Sequence, residues 1–208
     1  MHLPKVIGIE QEKGRKRSRR ILLDSGDIFS LTEDIFFQNH FSINDSLSDV
    51  EIKKLRYKDE IAQIRNSALN LLSYRKRSKS ELNRRLKEKG FAEENITETL
   101  EYLEEKKYLD DKDFAKSFAR DKVRQSRIGP VKLAIELKKH GIGTDTIQHV
   151  SDAIYFEFPI PEMIKHLINK KRYNLLEQTE KNQCIRFLQG KGYTFDQIFS
   201  EIKSSEIS

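Results

Sequence analysis

Apolar residues recur along this chain in two rhythms. Over the first 31 residues they form short runs rich in β-branched residues, at 6–9, 21–23 and 28–31, separated by Gly14 and Gly26. Runs of this length bounded by glycine predict a small two- or three-stranded sheet. From residue 32 onward the spacing changes to three and four. Residues 31–41 predict a short helix begun by Thr32, and Ser48 with Glu51 forms a capping box that starts another. Neither glycine nor proline occurs between Gly26 and Gly90, or again between Gly90 and Gly129. Uninterrupted stretches of this kind favour helices. Ile61, Ile64, Ala68, Leu71 and Leu72 mark one apolar stripe, and Phe114, Phe118, Ala119 and Val123 mark another.

The helical part repeats. Gly90, Gly141 and Gly192 stand 51 residues apart, each in a similar frame. Eight residues before each glycine is Leu82, Leu133 or Cys184, and four before is Leu86, Leu137 or Leu188. Six after is Ile96, Ile147 or Ile198. Positions −8 and −4 share one helix face, the glycine suits the left-handed position that ends the helix, and the isoleucine begins the buried face of the next. With the helix that precedes each pair, every unit has three helices.

Helix starts agree with this frame. Ser78 with Glu81 forms a capping box, and its counterpart 51 residues on is Gly129 followed by Pro130, with Ile128 and Leu133 placed as a hydrophobic staple. In the third unit Pro161 opens the first helix and Thr194 with Gln197 caps the last, whereas the middle helix begins near Glu180 without a strong signal. The expected helices are 59–75, 78–89, 93–106, 110–126, 130–140, 144–155, 161–171, 180–190 and 194–203. The fold class is therefore mainly α: tandem three-helix repeats forming an elongated, curved array with a small N-terminal β-hairpin or sheet extension. Its expected parts are a basic β-containing extension over 1–56 and repeats over 57–107, 108–156 and 157–208.

Composition narrows the chemistry. The 208 residues include 39 Lys and Arg against 33 Asp and Glu, a net charge of +6, with 35% charged and 37% hydrophobic residues. No apolar run is long enough to span a membrane and the start lacks the apolar stretch of a signal peptide, so a cytoplasmic protein is expected. A single cysteine, Cys184, rules out an intramolecular disulfide, and no Cys/His spacing suits structural zinc. Neither metal nor cofactor is expected. The acidic segment from Asp110 to Asp113 suggests a metal cluster or an acid–base pair, but a helix start explains every residue type in it. Asp110 takes the N-cap, Asp113 takes N3, and Leu109 and Phe114 form the staple. The five histidines show no ligand spacing, and Cys184 shares a column with two leucines, as a buried thiol would. Gly190 and Gly192 end a helix rather than join a strand to one. With no nucleophile, base or metal constellation, a non-enzymatic protein is expected.

What remains is the placement of basic charge. Six of eight residues over 13–20 are basic and none is acidic. Over 75–89 eight basic residues face two glutamates, and over 116–139 eight basic residues face Asp121 and Glu136. By contrast, residues 93–105 hold six glutamates and no base. A charge run is usually a solvated face, but its return in successive units suggests a surface that follows phosphates. The candidate contacts are Arg75, Arg77, Arg85, Arg120, Arg124, Arg127 and Lys132, with Arg15, Arg17 and Arg19 of the N-terminal run. Few aromatic residues sit on these helices. Tyr74 is one candidate for stacking, though a place covering the core edge suits it better.

The residues that carry the repeat also carry a resemblance. Arg75 to Ser78 (RKRS), Glu81, Leu82, Leu86, and Lys89-Gly90-Phe91 are followed by Tyr108-Leu109-Asp110-Asp111 with Phe114-Ala115, then by Gly129, Glu136-Leu137 and Gly141-Ile142. Together they resemble the regulatory protein RecX family over roughly residues 60–203, and Tyr-Leu-Asp-Asp with Phe-Ala is the most specific part. The resemblance implies a non-enzymatic modulator of the RecA recombinase made of three tandem three-helix repeats. Such a protein acts as a monomer that lies along the groove of the RecA filament on single-stranded DNA and touches DNA, single-stranded or duplex. It implies inhibition of filament extension, ATPase, strand exchange and coprotease activity. Where the family often has glycine before Tyr-Leu-Asp-Asp, this chain has Lys107, so the turn there is made by a non-glycine residue. A second hypothesis is a helical-repeat protein that binds DNA by itself, since a three-helix unit with a glycine turn is also similar to helix-turn-helix readers.

Overall fold

A computed structural model of the protein describes residues 3–12 and 17–206. The chain opens with three strands, β1 (Val6–Gln11), β2 (Ser18–Leu23) and β3 (Ile28–Thr32), paired antiparallel in chain order. Register pairs Ile9 with Ile21 and Arg19 with Leu31, and β1 carries an irregularity between Val6 and Gly8. Alternation turns Ile21 and Leu23 inward with Phe29 and Leu31, against Ile35 and Phe36 of α1 (Glu33–Asn39) and Ile52 and Leu55 of α2 (Asp49–Tyr74). The sheet is the expected one, with strands longer by one to three residues.

The helix expected from residue 59 is part of a longer one. Ser48 and Glu51 form the reciprocal capping box, but the helix they start runs without a break through residue 57 to Tyr74. Nothing in the intervening polar stretch breaks a helix, and Asp59 in its middle is buried because it accepts hydrogen bonds from the Thr32 amide at 2.8 Å and hydroxyl at 2.6 Å. Thr32 begins α1 from the N-cap position, yet its hydroxyl serves Asp59 rather than its own helix.

The remaining helices are α3 (Lys79–Glu88), α4 (Glu93–Glu105), α5 (Asp111–Ser126), α6 (Pro130–Lys139), α7 (Thr144–Glu157), α8 (Ile160–Lys171), α9 (Gln178–Lys191) and α10 (Phe195–Glu206). The described residues fall into two compact units. The first takes residues up to 75 with 83–108; the second takes 76–82 with 109 onward.

All three repeat columns are buried. Leu82, Leu133 and Cys184, like Leu86, Leu137 and Leu188, are 0% exposed, and Ile96, Ile147 and Ile198 lie in the core. Gly90, Gly141 and Gly192 adopt the left-handed backbone. After α6 the Gly141 amide donates to the Lys138 carbonyl and the Ile142 amide to that of Leu137, and after α9 Gly192 and Tyr193 repeat the pattern with Gln189 and Leu188. Each turn thereby satisfies carbonyls that a helix end would leave bare.

In the first unit α4 packs on α2 and borrows its cap from it. Ala92 at the N-cap has no side-chain oxygen, and the Glu60 carboxylate accepts from the Ala92 amide and from Asn95 Nδ2, both at 2.8 Å. The Arg65 guanidinium lies 4.3 Å from the Tyr102 ring centroid. Just past the end of α4, Lys107 takes the left-handed conformation with φ 58° and makes the glycine-type turn with a side chain in place.

In the second unit one core runs from Phe114 of α5 to Ile202 of α10. Gly129 is the N-cap of α6 with an ordinary φ of −83°, so conformational freedom does not explain it. A Cβ there would stand 2.4 Å from the Gly192 carbonyl oxygen. Across this close approach the Gly129 amide donates to the Lys191 carbonyl at 2.8 Å and the Val131 amide to the Gly192 carbonyl at 3.1 Å. The buried Tyr193 hydroxyl donates to the Arg127 carbonyl at 2.8 Å, and Tyr155 donates to that of Ile128 at 2.9 Å. The middle helix of the last three, expected near residue 180, begins at Gln178, and its cap is Glu177, whose carboxylate accepts from the amides of Thr179 and Glu180. Glutamate is not among the favoured N-cap residues, which is why its signal is weak in the sequence.

Candidate nucleic-acid interface

The acidic segment at the start of α5 is structural. Asp110 accepts from the amides of Lys112 and Asp113 at 2.8 and 3.0 Å. Asp111 accepts from the Lys79 amide at 2.8 Å, which also satisfies the start of α3, and Asp113 pairs with Lys76. Leu109 and Phe114 are buried beside them. Cys184 is buried too, and burial pushes its thiol up to about 11, so it stays protonated at neutral pH.

The ten candidate basic residues separate by environment. Arg15 lies outside the described residues. Arg17 is exposed, and its carbonyl accepts the Glu33 amide; Arg19 of β2 pairs with Glu33 at 2.8 Å. Arg75 caps the C-terminus of α2 in extended conformation with an exposed side chain. Arg77 is different: its guanidinium pairs with Glu81, and the two side chains are only 12% and 6% exposed. Ser78 accepts from the Glu81 amide, so the Glu81 backbone is capped while its carboxylate neutralises Arg77. Arg77 thus holds the start of α3.

Arg85 is exposed on α3 and pairs loosely with Glu88 at 3.4 Å. Arg120 and Arg124 both lie exposed on α5. Arg120 reaches Glu157 of α7 at 2.6 Å across a groove of about 430 Å³, which Asp113, Lys116 and Asp121 also line. This groove is of mixed sign. Arg124 is only 3.9 Å from Asp121 and is held more loosely. Arg127 ends α5 in the left-handed conformation, and Lys132 donates to the Gly190 carbonyl at 3.2 Å. Tyr74, expected to cover the core edge, is 78% exposed at the end of α2, next to Arg75. The helix stops there, so the ring projects beyond the packed part of its stripe.

Sequence reasoning missed one group. Lys170 and Lys171 in the last turn of α8 and Lys132 of α6 stand close enough to Lys191 at the end of α9 for their charges to act on it, and the Lys171 and Lys191 amines lie over the Phe187 ring. The only trace in the chain is the short run Lys170-Lys171-Arg172, and the grouping itself is made by tertiary packing.

Comparison with known proteins bears on the whole chain. Models of the first and second three-helix domains of RecX match residues 65–103 and 110–150. The regulatory protein RecX of Bacillus velezensis is 31% identical over 98% of this chain and 78% of its own length. The chain belongs to the RecX family. The regulatory protein RecX of Clostridium botulinum (strain Eklund 17B / Type B) is 27% identical over 98% of this chain and 97% of its own. A crystal structure of regulatory protein RecX superposes with a TM-score of 0.71 at 27% identity, covering 97% of this chain and all of that one. RecX from Lactobacillus salivarius, at 24% identity and TM-score 0.63, shares the fold over 73% of this chain. No helix among the described residues is long and apolar enough to cross a membrane.

Proposed function

We propose that this RecX-family chain regulates a RecA recombinase from the filament that RecA forms on single-stranded DNA, and that it lowers filament extension, ATPase, recombination and coprotease activity. The observation that carries the reading is the match to regulatory RecX proteins over nearly the full length of the chain. The charge pattern supports it, because exposed arginines recur on α3 and α5, the helices that flank the first repeated turn and open the second unit. The protein acts in the cytoplasm as a monomer without cofactor or catalytic step. Its working parts are 1–56, 57–107, 108–156 and 157–208, with α2 shared between the first two.

Arg75, Arg85, Arg120 and Arg124 are the partner contacts in this reading, with Arg17 just before β2 and Arg19 on it; Arg77 and Arg127 hold helix ends. The test is the single-stranded-DNA-dependent ATPase rate of the cognate RecA with this protein well below RecA's concentration. A clear fall in rate is expected, and R120E/R124E should weaken it about tenfold or more while keeping the helical circular dichroism of the parent. No change at any ratio, together with salt-sensitive DNA binding in the same buffer, would instead identify a helical-repeat protein that binds DNA by itself.

A further inference from the structure

Four lysines in the second unit gather at a cost that their contacts offset only in part. Lys191 donates to the Ser126 carbonyl at 2.9 Å and Lys132 to the Gly190 carbonyl at 3.2 Å, so backbone oxygens hold both amines in place. Burial, and then the charges of Lys132, Lys170 and Lys171, pull the Lys191 amine below its ordinary value. Among the described residues no carboxylate forms an ion pair with any of the four. The helix dipole accounts for Lys170 and Lys171 at the end of α8, and the carbonyl bonds account for Lys132 and Lys191 singly. The Phe187 ring under the Lys171 and Lys191 amines offsets part of the cost for those two and none of it for Lys132 and Lys170, and like charges brought together in a partly dry site oppose folding.

Two aromatic rings share the place. The amines of Lys171 and Lys191 lie 5.4 and 5.8 Å from the Phe187 centroid, and the Tyr173 ring lies 6.2 Å from it at 52°. Both rings are half-buried and pack against the core. Rings beside clustered amines match what an unpaired strand offers, a base with a free face and a phosphate within reach of it. A duplex keeps its bases stacked and presents phosphates alone, and an acidic peptide has no use for the rings.

We infer that this patch holds single-stranded nucleic acid, with a base against Phe187 and Tyr173 and successive phosphates on Lys132, Lys170, Lys171 and Lys191. The site deepens the proposed function, and rests on it for the source of the strand, but it works in the absence of recombinase and is tested that way.

The experiment is fluorescence anisotropy of a short labelled oligo-dT with the full-length protein, titrated over a series of salt concentrations. K170E/K171E should weaken binding more than tenfold at low salt and flatten the log–log salt slope by about 1.4, from ~0.7 for each lost single-strand phosphate contact. Phe187→Leu should weaken binding about tenfold with the slope unchanged, as expected when a stacked base is lost and phosphates are kept. Because Phe187 also touches the core, K170E/K171E, with both positions exposed, decides the matter if Phe187→Leu lowers the melting temperature. Parent-like binding by K170E/K171E overturns the site, as does displacement of oligo-dT by blunt duplex as readily as by unlabelled oligo-dT. The two readings fail separately. Loss of oligo-dT binding in K170E/K171E, with no effect of the parent on the ATPase, keeps this site and removes the filament reading; an ATPase effect with unchanged oligo-dT binding does the reverse.

Discussion

Gly90 in the first unit and Gly192 in the second end their helices alike, with φ of 86° and 93°. A Cβ at position 90 would meet nothing within 4 Å, whereas one at 192 would stand 2.3 Å from Lys132 Cβ and 2.5 Å from the Lys132 amide nitrogen. The turn is one local device, required wherever a helix must stop and reverse. In the second unit it is also a packing junction, because the start of α6 lies against it through the Gly129 and Val131 amides. Periodicity shows the first role at all three glycines and cannot tell which of them has the second.

The largest expected effect separates these roles. Gly90→Ala should cost about 1–2 kcal/mol, the left-handed strain alone. Gly192→Ala carries the same strain and must also push the backbone of α6 away, weakening hydrogen bonds worth about 1 kcal/mol each, so about 3–5 kcal/mol is expected. Paired denaturant titrations read the difference. Equal losses at the two positions would mean that the junction yields without cost.

How far the sequence speaks follows the same division between local and tertiary causes. The columns at −8, −4 and +6 were legible because helical geometry fixes which positions share a face. The Ser48, Asp110 and Thr194 caps were legible because donor and acceptor stand within three residues of each other. The cap of α4 was not, because Glu60 brings it from 32 residues away. α2 was read as two helices for a local reason, its middle having too few apolar residues to show a stripe although nothing in it breaks the helix. In the candidate interface, sequence located the basic helices but not their partners. Arg77 in an ion pair and Arg124 in water look alike in a charge count. The four lysines grouped about Lys191 come from three helices and share no single segment of chain.

A smaller effect tests the second unit's tyrosines. Tyr193→Phe removes the bond to the Arg127 carbonyl and should cost about 1–2 kcal/mol at neutral pH, because that buried acceptor then lacks its donor. Alkali narrows the difference. Burial raises the folded pKa of Tyr193 and Tyr155 above the ordinary 10.0, and that of Cys184 from 9.0 to about 11. A group whose folded pKa is raised gives stability that is complete below its unfolded value and is lost as pH climbs toward the folded one. The melting temperature of the parent should therefore hold up to about pH 9 and fall steadily above it, first through Cys184 and then through the tyrosines. Tyr193→Phe lacks one of these groups, so its curve should fall less steeply above pH 10 and converge on that of the parent. Parallel curves would mean that Tyr193 ionises as freely in the folded protein as in the unfolded one.

The smallest expected effect is a gain. Lys107 makes at the end of α4 the turn that Gly90, Gly141 and Gly192 make elsewhere, with its amide on the Glu104 carbonyl and that of Tyr108 on Leu103. Its side chain is exposed. A non-glycine residue in this conformation costs about 1–2 kcal/mol, and glycine returns roughly 0.5–1 kcal/mol of that through the freedom it gives the unfolded chain. Lys107→Gly should therefore stabilise the first unit by up to about 1 kcal/mol, read as a small rise in the denaturant midpoint with an unchanged slope. A loss would show that the lysine side chain contributes a contact worth more than the strain it brings. The same variant removes one positive charge next to Tyr108-Leu109-Asp110-Asp111. An unchanged effect on the recombinase ATPase would then place Lys107 with the turn, whereas a weakened one would extend the basic surface past the end of α4.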